Sequence, residues 1–145
     1  MGNGKEDEAI EAFKSAAANG KEGQANKMLG NIYRRQGQAL LKGGKNAEAI
    51  EAFNAANSYA ENPDSYRLIA SAYTKLGKTS AALDAYKKYL ELNPDAKDAA
   101  GVKLTIAATA QKAGNKATAI EYYQMIVNDP QYGATAKQQL DVLKK

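Results

Sequence analysis

The sequence predicts an all-α fold built as a stack of antiparallel helix pairs. Three observations predict it: a helix-favouring composition, the lack of any segment alternating with the strand period of two, and a short pattern that recurs four times. Abundant Ala, Lys, Glu, Gln and Leu with three prolines in 145 residues favours helix, because unbranched side chains lose little rotamer freedom there. The recurring pattern is Glu8-Ala9-Ile10-Glu11-Ala12-Phe13, Glu48-Ala49-Ile50-Glu51-Ala52-Phe53, Ala81-Ala82-Leu83-Asp84-Ala85-Tyr86 and Thr118-Ala119-Ile120-Glu121-Tyr122-Tyr123. In each copy an aromatic follows a small residue by four positions. Both then lie on one helix face, where the small residue admits a neighbouring helix and the ring fills the next gap.

The elements follow in chain order. Residues 8–20 carry the first copy with no room for a partner helix before it, which reads as a half repeat and suggests a fragment of a longer array. The next unit, 23–61, holds about seven more residues than its fellows, the equivalent of two helical turns. The simplest accommodation is a long first helix over about 24–43, ended by Gly43-Gly44; Gly37 weakens it by about 1 kcal/mol relative to alanine, and a break at Gly37 is the alternative. Residues 63–96 form the cleanest unit, with Pro63 at a first helical position and Gly77 at the turn. The unit over 97–130 has Gly114 at its turn, and a final helix over 133–145 closes the chain. Asn46, Thr79 and Asn115 are the expected caps of helix starts, and Gly77 and Gly114 the expected left-handed helix ends.

The copies are 40, 33 and 37 residues apart at their small residue, above a base of about 34 that marks a helix-pair repeat. In residues 63–96 the positions Tyr66, Ile69, Ala70, Tyr73, Gly77, Ala82, Tyr86 and Pro94 resemble the tetratricopeptide repeat family. Tyr66 stands for the family's usual tryptophan, Ala70 for its glycine and Tyr89 for its third alanine, the last predicting a locally wider gap. A second match runs from Met28-Leu29-Gly30-Asn31-Ile32-Tyr33 through Ala49, Phe53 and Ala56. A third keeps Ile106, Ala107, Gly114, Ala119 and Tyr123 but has Lys103 and Ala110 where aromatics are usual. The resemblance implies one domain over 1–145, an α-solenoid of eight helices wound as a right-handed superhelix. It holds about three repeats between the half repeat and a capping helix, with the first helix of each pair lining a concave face.

Charge and residue chemistry narrow the function. Histidine and cysteine are both absent, so neither a histidine-activated nucleophile nor a thiol is available, and no catalytic residues are expected. Glu48 and Glu51, and Glu6 and Asp7, fall on expected solvent faces. Gly77-Lys78-Thr79 lacks the upstream glycine of a phosphate loop, since position 72 is Ala72 within a helix, so nucleotide is not expected. No calcium-loop pattern occurs, and neither metal nor cofactor is expected. The formal charge of +4 is too mild for a dedicated nucleic-acid binder and gives a modest bias toward acidic partners. Of nine tyrosines, Tyr33, Tyr73, Tyr86 and Tyr123 occupy core positions of the repeat. No run approaches the ~20 apolar residues of a membrane span, and the compartment, cytoplasmic or periplasmic, stays open.

Between Gln24 and Ala47 lie five basic residues, Lys27, Arg34, Arg35, Lys42 and Lys45, and no acid. Lys27 and Arg34 fall within about 20° of each other on a helix, beside Asn31 and Gln38 and opposite Leu29, Ile32 and Leu40. The family resemblance places Gln24, Lys27, Asn31 and Arg34 on the groove, with Asp64, Arg67, Ser71 and Thr74 in the second unit and Leu104, Ala108 and Gln111 in the third. Lys27 to Asn31 is similar to the opening of the family's carboxylate clamp, but Leu68, Gly101 and Thr105 depart from the rest of it. The expected function is a non-enzymatic module that binds a peptide or partner segment in a partly basic concave groove. The alternative is a structural, oligomerisation or spacer module of a larger multi-protein or cell-envelope assembly.

Overall fold

The computed structural model describes residues 4–18, 20 and 22–145. Eight α-helices and, among the described residues, no strand make the fold all-α, as composition and periodicity predict. The helices are α1 (Gly4–Ala18), α2 (Glu22–Lys42), α3 (Asn46–Tyr59), α4 (Pro63–Lys75), α5 (Thr79–Leu92), α6 (Ala99–Lys112), α7 (Lys116–Met125) and α8 (Gly133–Leu143). The chain divides into two compact units between Lys78 and Thr79, inside the cleanest sequence repeat. In a repeat stack each helix packs on its neighbours, so compactness need not follow repeat boundaries.

In the first unit α2 is the spine. It runs unbroken for 21 residues, so the expected long helix forms and the break at Gly37 does not. A β-carbon at Gly37 would lie 2.8 Å from Cε1 of Phe53, a ring with no solvent exposure. Glycine here is a packing requirement: the ring of α3 occupies the space a side chain would take. Gly30 repeats the device, with Ala60 Cβ 3.0 Å and the Ala56 carbonyl 3.3 Å from its would-be β-carbon. Ile10 of α1 meets Leu29 and Ile32 of α2 in a small core ringed by Ala9, Phe13, Tyr33 and Tyr59. Tyr33 and Tyr59 stack with centroids 5.7 Å apart.

Three helices end in the same way. After α2, Lys45 N–H donates to the Leu40 carbonyl at 2.9 Å and Gly44 N–H to Leu41, with Gly44 at φ +78°. After α4, Lys78 bonds Tyr73 and Gly77 bonds Thr74, with Gly77 at φ +75°. After α6, Asn115 bonds Ala110 and Gly114 bonds Gln111, with Gly114 at φ +83°. This paired bonding satisfies the last carbonyls and needs a left-handed residue, which glycine adopts without strain.

Helix starts are less uniform. Asn115 caps α7 as expected, its side chain accepting from Thr118 N–H at 3.2 Å. Pro63 takes the first helical position of α4, but the cap is Asn62, which accepts from Asp64 N–H at 2.9 Å. Asn46 is not a cap. It lies inside α3, Lys45 holds the cap position without a side-chain bond, and the Asn46 Oδ1 is buried without a hydrogen-bond partner. The glycine-driven turn delivers the chain one residue earlier than the asparagine needs. Thr79 is the first residue of α5.

In the second unit the small residues of the recurring pattern, Ala82 and Ala119, are fully buried, as is Ala49 in the first unit. Tyr89, in place of the family's alanine, is 3% exposed and donates its hydroxyl proton to Asp98 Oδ1 at 2.6 Å, tying α5 to the approach of α6. Ala110 is fully buried where an aromatic is usual. Gly133 opens α8 so close to the chain that a β-carbon would fall 2.5 Å from the Val127 carbonyl oxygen.

Candidate peptide-binding face

The residues singled out on the first unit lie on α2 and α4, two helices in contact. Because α1 and α3 take the apolar side of α2, its other side is left to solvent. Gln24, Lys27, Asn31, Arg35, Gln38 and Lys42 are all exposed there, and Met28 is 39% exposed among them. Lys27, Arg35 and Lys42 fall within about 80° of arc, with rises of about 12 and 10.5 Å between successive cations. Arg35 and Lys42 belong to the acid-free run legible in sequence, yet the family-based groove positions pass over them.

Arg34 has a different place. It is half-buried, its Nε donates to Ser65 Oγ at 3.0 Å, its Nη2 to the Ala60 carbonyl at 3.3 Å and its Nη1 to Asn31 Oδ1 at 2.9 Å. One guanidinium thus ties α2 to the start of the α3–α4 link and to the first turn of α4. Burial lowers its pKa and the nearby Asp64 carboxylate raises it; an arginine in such a setting stays charged. Ser65 is a buried polar residue with no solvent exposure. Sequence reasoning missed it, and no motif marks it: only the packing of α4 on α2 brings it under Arg34.

On α4, Asp64 is exposed, Arg67 and Ser71 are half-buried, and Thr74 is exposed. The Thr74 hydroxyl donates to the Ala70 carbonyl of its own helix at 2.9 Å. Gln111 belongs to the second unit, where it accepts from the Tyr123 hydroxyl at 2.7 Å and donates to Gln139 Oε1 at 3.0 Å. Both ends of that amide are thus engaged between α6, α7 and α8. Leu104 is half-buried and Ala108 exposed on α6.

Two clefts flank α2. One of about 210 Å³ is lined by Phe13, Ala16, Gln24 and Ala25, and one of about 460 Å³ by residues including Glu6, Arg35, Gln36, Lys45 and Glu48. In the larger, Gln36 donates to Glu6 Oε2 at 2.7 Å, closing one wall. Among the described residues no group of three acids, histidines or cysteines could hold a metal ion, and no helix is long and apolar enough to cross a membrane.

The sequence profile of the tetratricopeptide repeat matches residues 1–66, 34–97 and 67–133 in overlapping windows. Comparison with curated proteins finds no similar sequence. Among solved structures, a crystal structure of MamA is similar over 97% of this chain and 72% of that one, at 20% identity and a TM-score of 0.64. A second crystal structure of MamA covers 97% of this chain and 77% of that one, at 20% identity and a TM-score of 0.65. The Yersinia enterocolitica type III secretion chaperone SycD, in complex with a peptide of the translocator YopD, is similar over 79% of this chain and 91% of that one. Its identity is 14% and its TM-score 0.62. At such identities the likeness is one of fold.

Proposed function

We propose, from the premise that this chain belongs to the tetratricopeptide repeat family, that it is a non-enzymatic interaction module binding a partner segment along the α2/α4 face of its first unit. In this reading a half repeat over 8–20 precedes repeats over 23–61, 63–96 and 97–130, and 133–145 caps the stack. The fold shared with SycD, whose structure holds a peptide of its translocator, supports a peptide as the kind of ligand. The observation that carries the proposal is the exposed, acid-free side of α2, where Gln24, Lys27, Asn31, Arg35 and Lys42 present donors along a helix about 31 Å long.

Such a surface favours acidic segments. Lysine and arginine supply charge-assisted hydrogen bonds to carboxylates, and the positive field of Lys27, Arg35 and Lys42 raises the rate of encounter. Asp64, Arg67 and Ser71 form the facing wall on α4, with Arg34 as the brace between walls. Gln111 stays out of the proposal because its amide is engaged within the second unit.

The test is fluorescence anisotropy with a labelled deca-glutamate peptide at low salt, against a Gly-Ser peptide of equal length. The expected result is selective binding of the acidic peptide, weakened roughly tenfold or more by Lys27→Glu with Arg35→Glu. Both substitutions are at exposed positions, so helix content should not change. Equal affinity for the two peptides, or no loss in the double variant, refutes the reading.

A further inference from the structure

The Arg34 brace does something that holding two helices together does not require. Two of its three bonds, to Ser65 Oγ and to the Ala60 carbonyl, fix the guanidinium on α4 and the α3–α4 link. The third reaches along its own helix to an exposed side chain, Asn31, three residues earlier. A guanidinium has five N–H donors and no acceptor, so only the oxygen of the Asn31 amide is able to face it. The amide is therefore not free to flip. Its NH₂ group is left on the far side, one turn along the exposed face from Lys27.

We infer that Arg34 is a positioning residue: anchored on Ser65 and the Ala60 carbonyl, it orients the Asn31 amide so that beside Lys27 this face of α2 offers hydrogen-bond donors and not acceptors. An unheld asparagine presents either end to a ligand and discriminates poorly between donors and acceptors. A held one accepts partners whose atoms are acceptors, carboxylates and peptide carbonyls, and rejects ammonium and amide N–H groups, which would leave two donors opposed. The selectivity rests on the binding reading above, but the held amide exists in the free protein. Ser65, fully buried, then influences recognition without touching the ligand.

The experiment begins on the unliganded chain. The ¹⁵N relaxation of the Asn31 side-chain amide is compared with that of Asn54, also exposed. An ordered Asn31 amide is expected, loosening to the Asn54 level in Ser65→Ala and in Arg34→Lys, whose single ammonium cannot span three partners. An Asn31 amide already as mobile as that of Asn54 overturns the inference. Deca-glutamate affinity is then measured: Arg34→Lys and Ser65→Ala should each weaken it roughly 2- to 10-fold. Asn31→Asp, which keeps an acceptor for Arg34 and removes the outward donors, should lose the peptide while keeping its melting midpoint. Retained affinity in Asn31→Asp overturns the donor-face assignment. If the wild-type chain binds no acidic peptide, the proposed function fails, and the amide order alone decides the positioning role.

Discussion

Replacing Gly37 by alanine sets two effects of known sign against each other. Helix propensity favours alanine in a helix interior by about 1 kcal/mol. Packing opposes it: the new methyl would stand 2.8, 2.9 and 3.0 Å from Cε1, Cδ1 and Cζ of Phe53. Phe53 has no solvent exposure and cannot swing aside, so α2 and α3 must separate or the ring must leave its rotamer. Overpacking of this kind costs about 1–3 kcal/mol, so the net expectation for Gly37→Ala is destabilisation of up to about 2 kcal/mol. Gly23 supplies the control. It lies in the same helix, is exposed, and nothing stands within 4 Å of its would-be β-carbon, so Gly23→Ala should stabilise by up to about 1 kcal/mol. Urea unfolding followed by circular dichroism reads both. Adding Phe53→Leu should make Gly37→Ala less costly than in the wild-type background. Stabilisation by Gly37→Ala equal to that of Gly23→Ala would refute the packing argument and leave Gly37 an ordinary weak point in a helix.

Two further outcomes follow from caps and burial. Asn62→Ala removes the bond to Asp64 N–H and should cost about 1 kcal/mol, whereas Asn46→Ala, which removes a buried oxygen with no partner, should cost less or stabilise; urea midpoints of the two variants decide. Burial raises the pKa of the Tyr123 phenol, so the folded chain favours its neutral form. The resulting stability is present below the unfolded tyrosine value of about 10 and is lost as pH rises through the higher folded value. Tyr123→Phe should therefore be less stable at neutral pH, having lost the bond to Gln111, yet lose less additional stability than the wild type between pH 8 and pH 11, measured by urea unfolding at each pH.

Sequence alone determined the helices, because their signals are local. The glycines at 44, 77 and 114 and the asparagine at 115 act through hydrogen bonds within one or two turns, and each acts in the structure as its chemistry requires. The family, too, was legible, since repetition of such local signals defines it. What the sequence could not decide depended on a neighbour. Gly37 reads as a helix weakness until Phe53 is placed against it, and Asn46 reads as a cap until the turn before it is built. Arg34 reads as a groove cation, one heptad after Lys27, and becomes a brace only when α4 brings Ser65 beneath it and the α3–α4 link presents the Ala60 carbonyl. Arg34 and Arg35 are neighbours in sequence with the same side chain. About 100° of helical rotation sends one toward a partner helix and the other to solvent, and only tertiary packing fixes which.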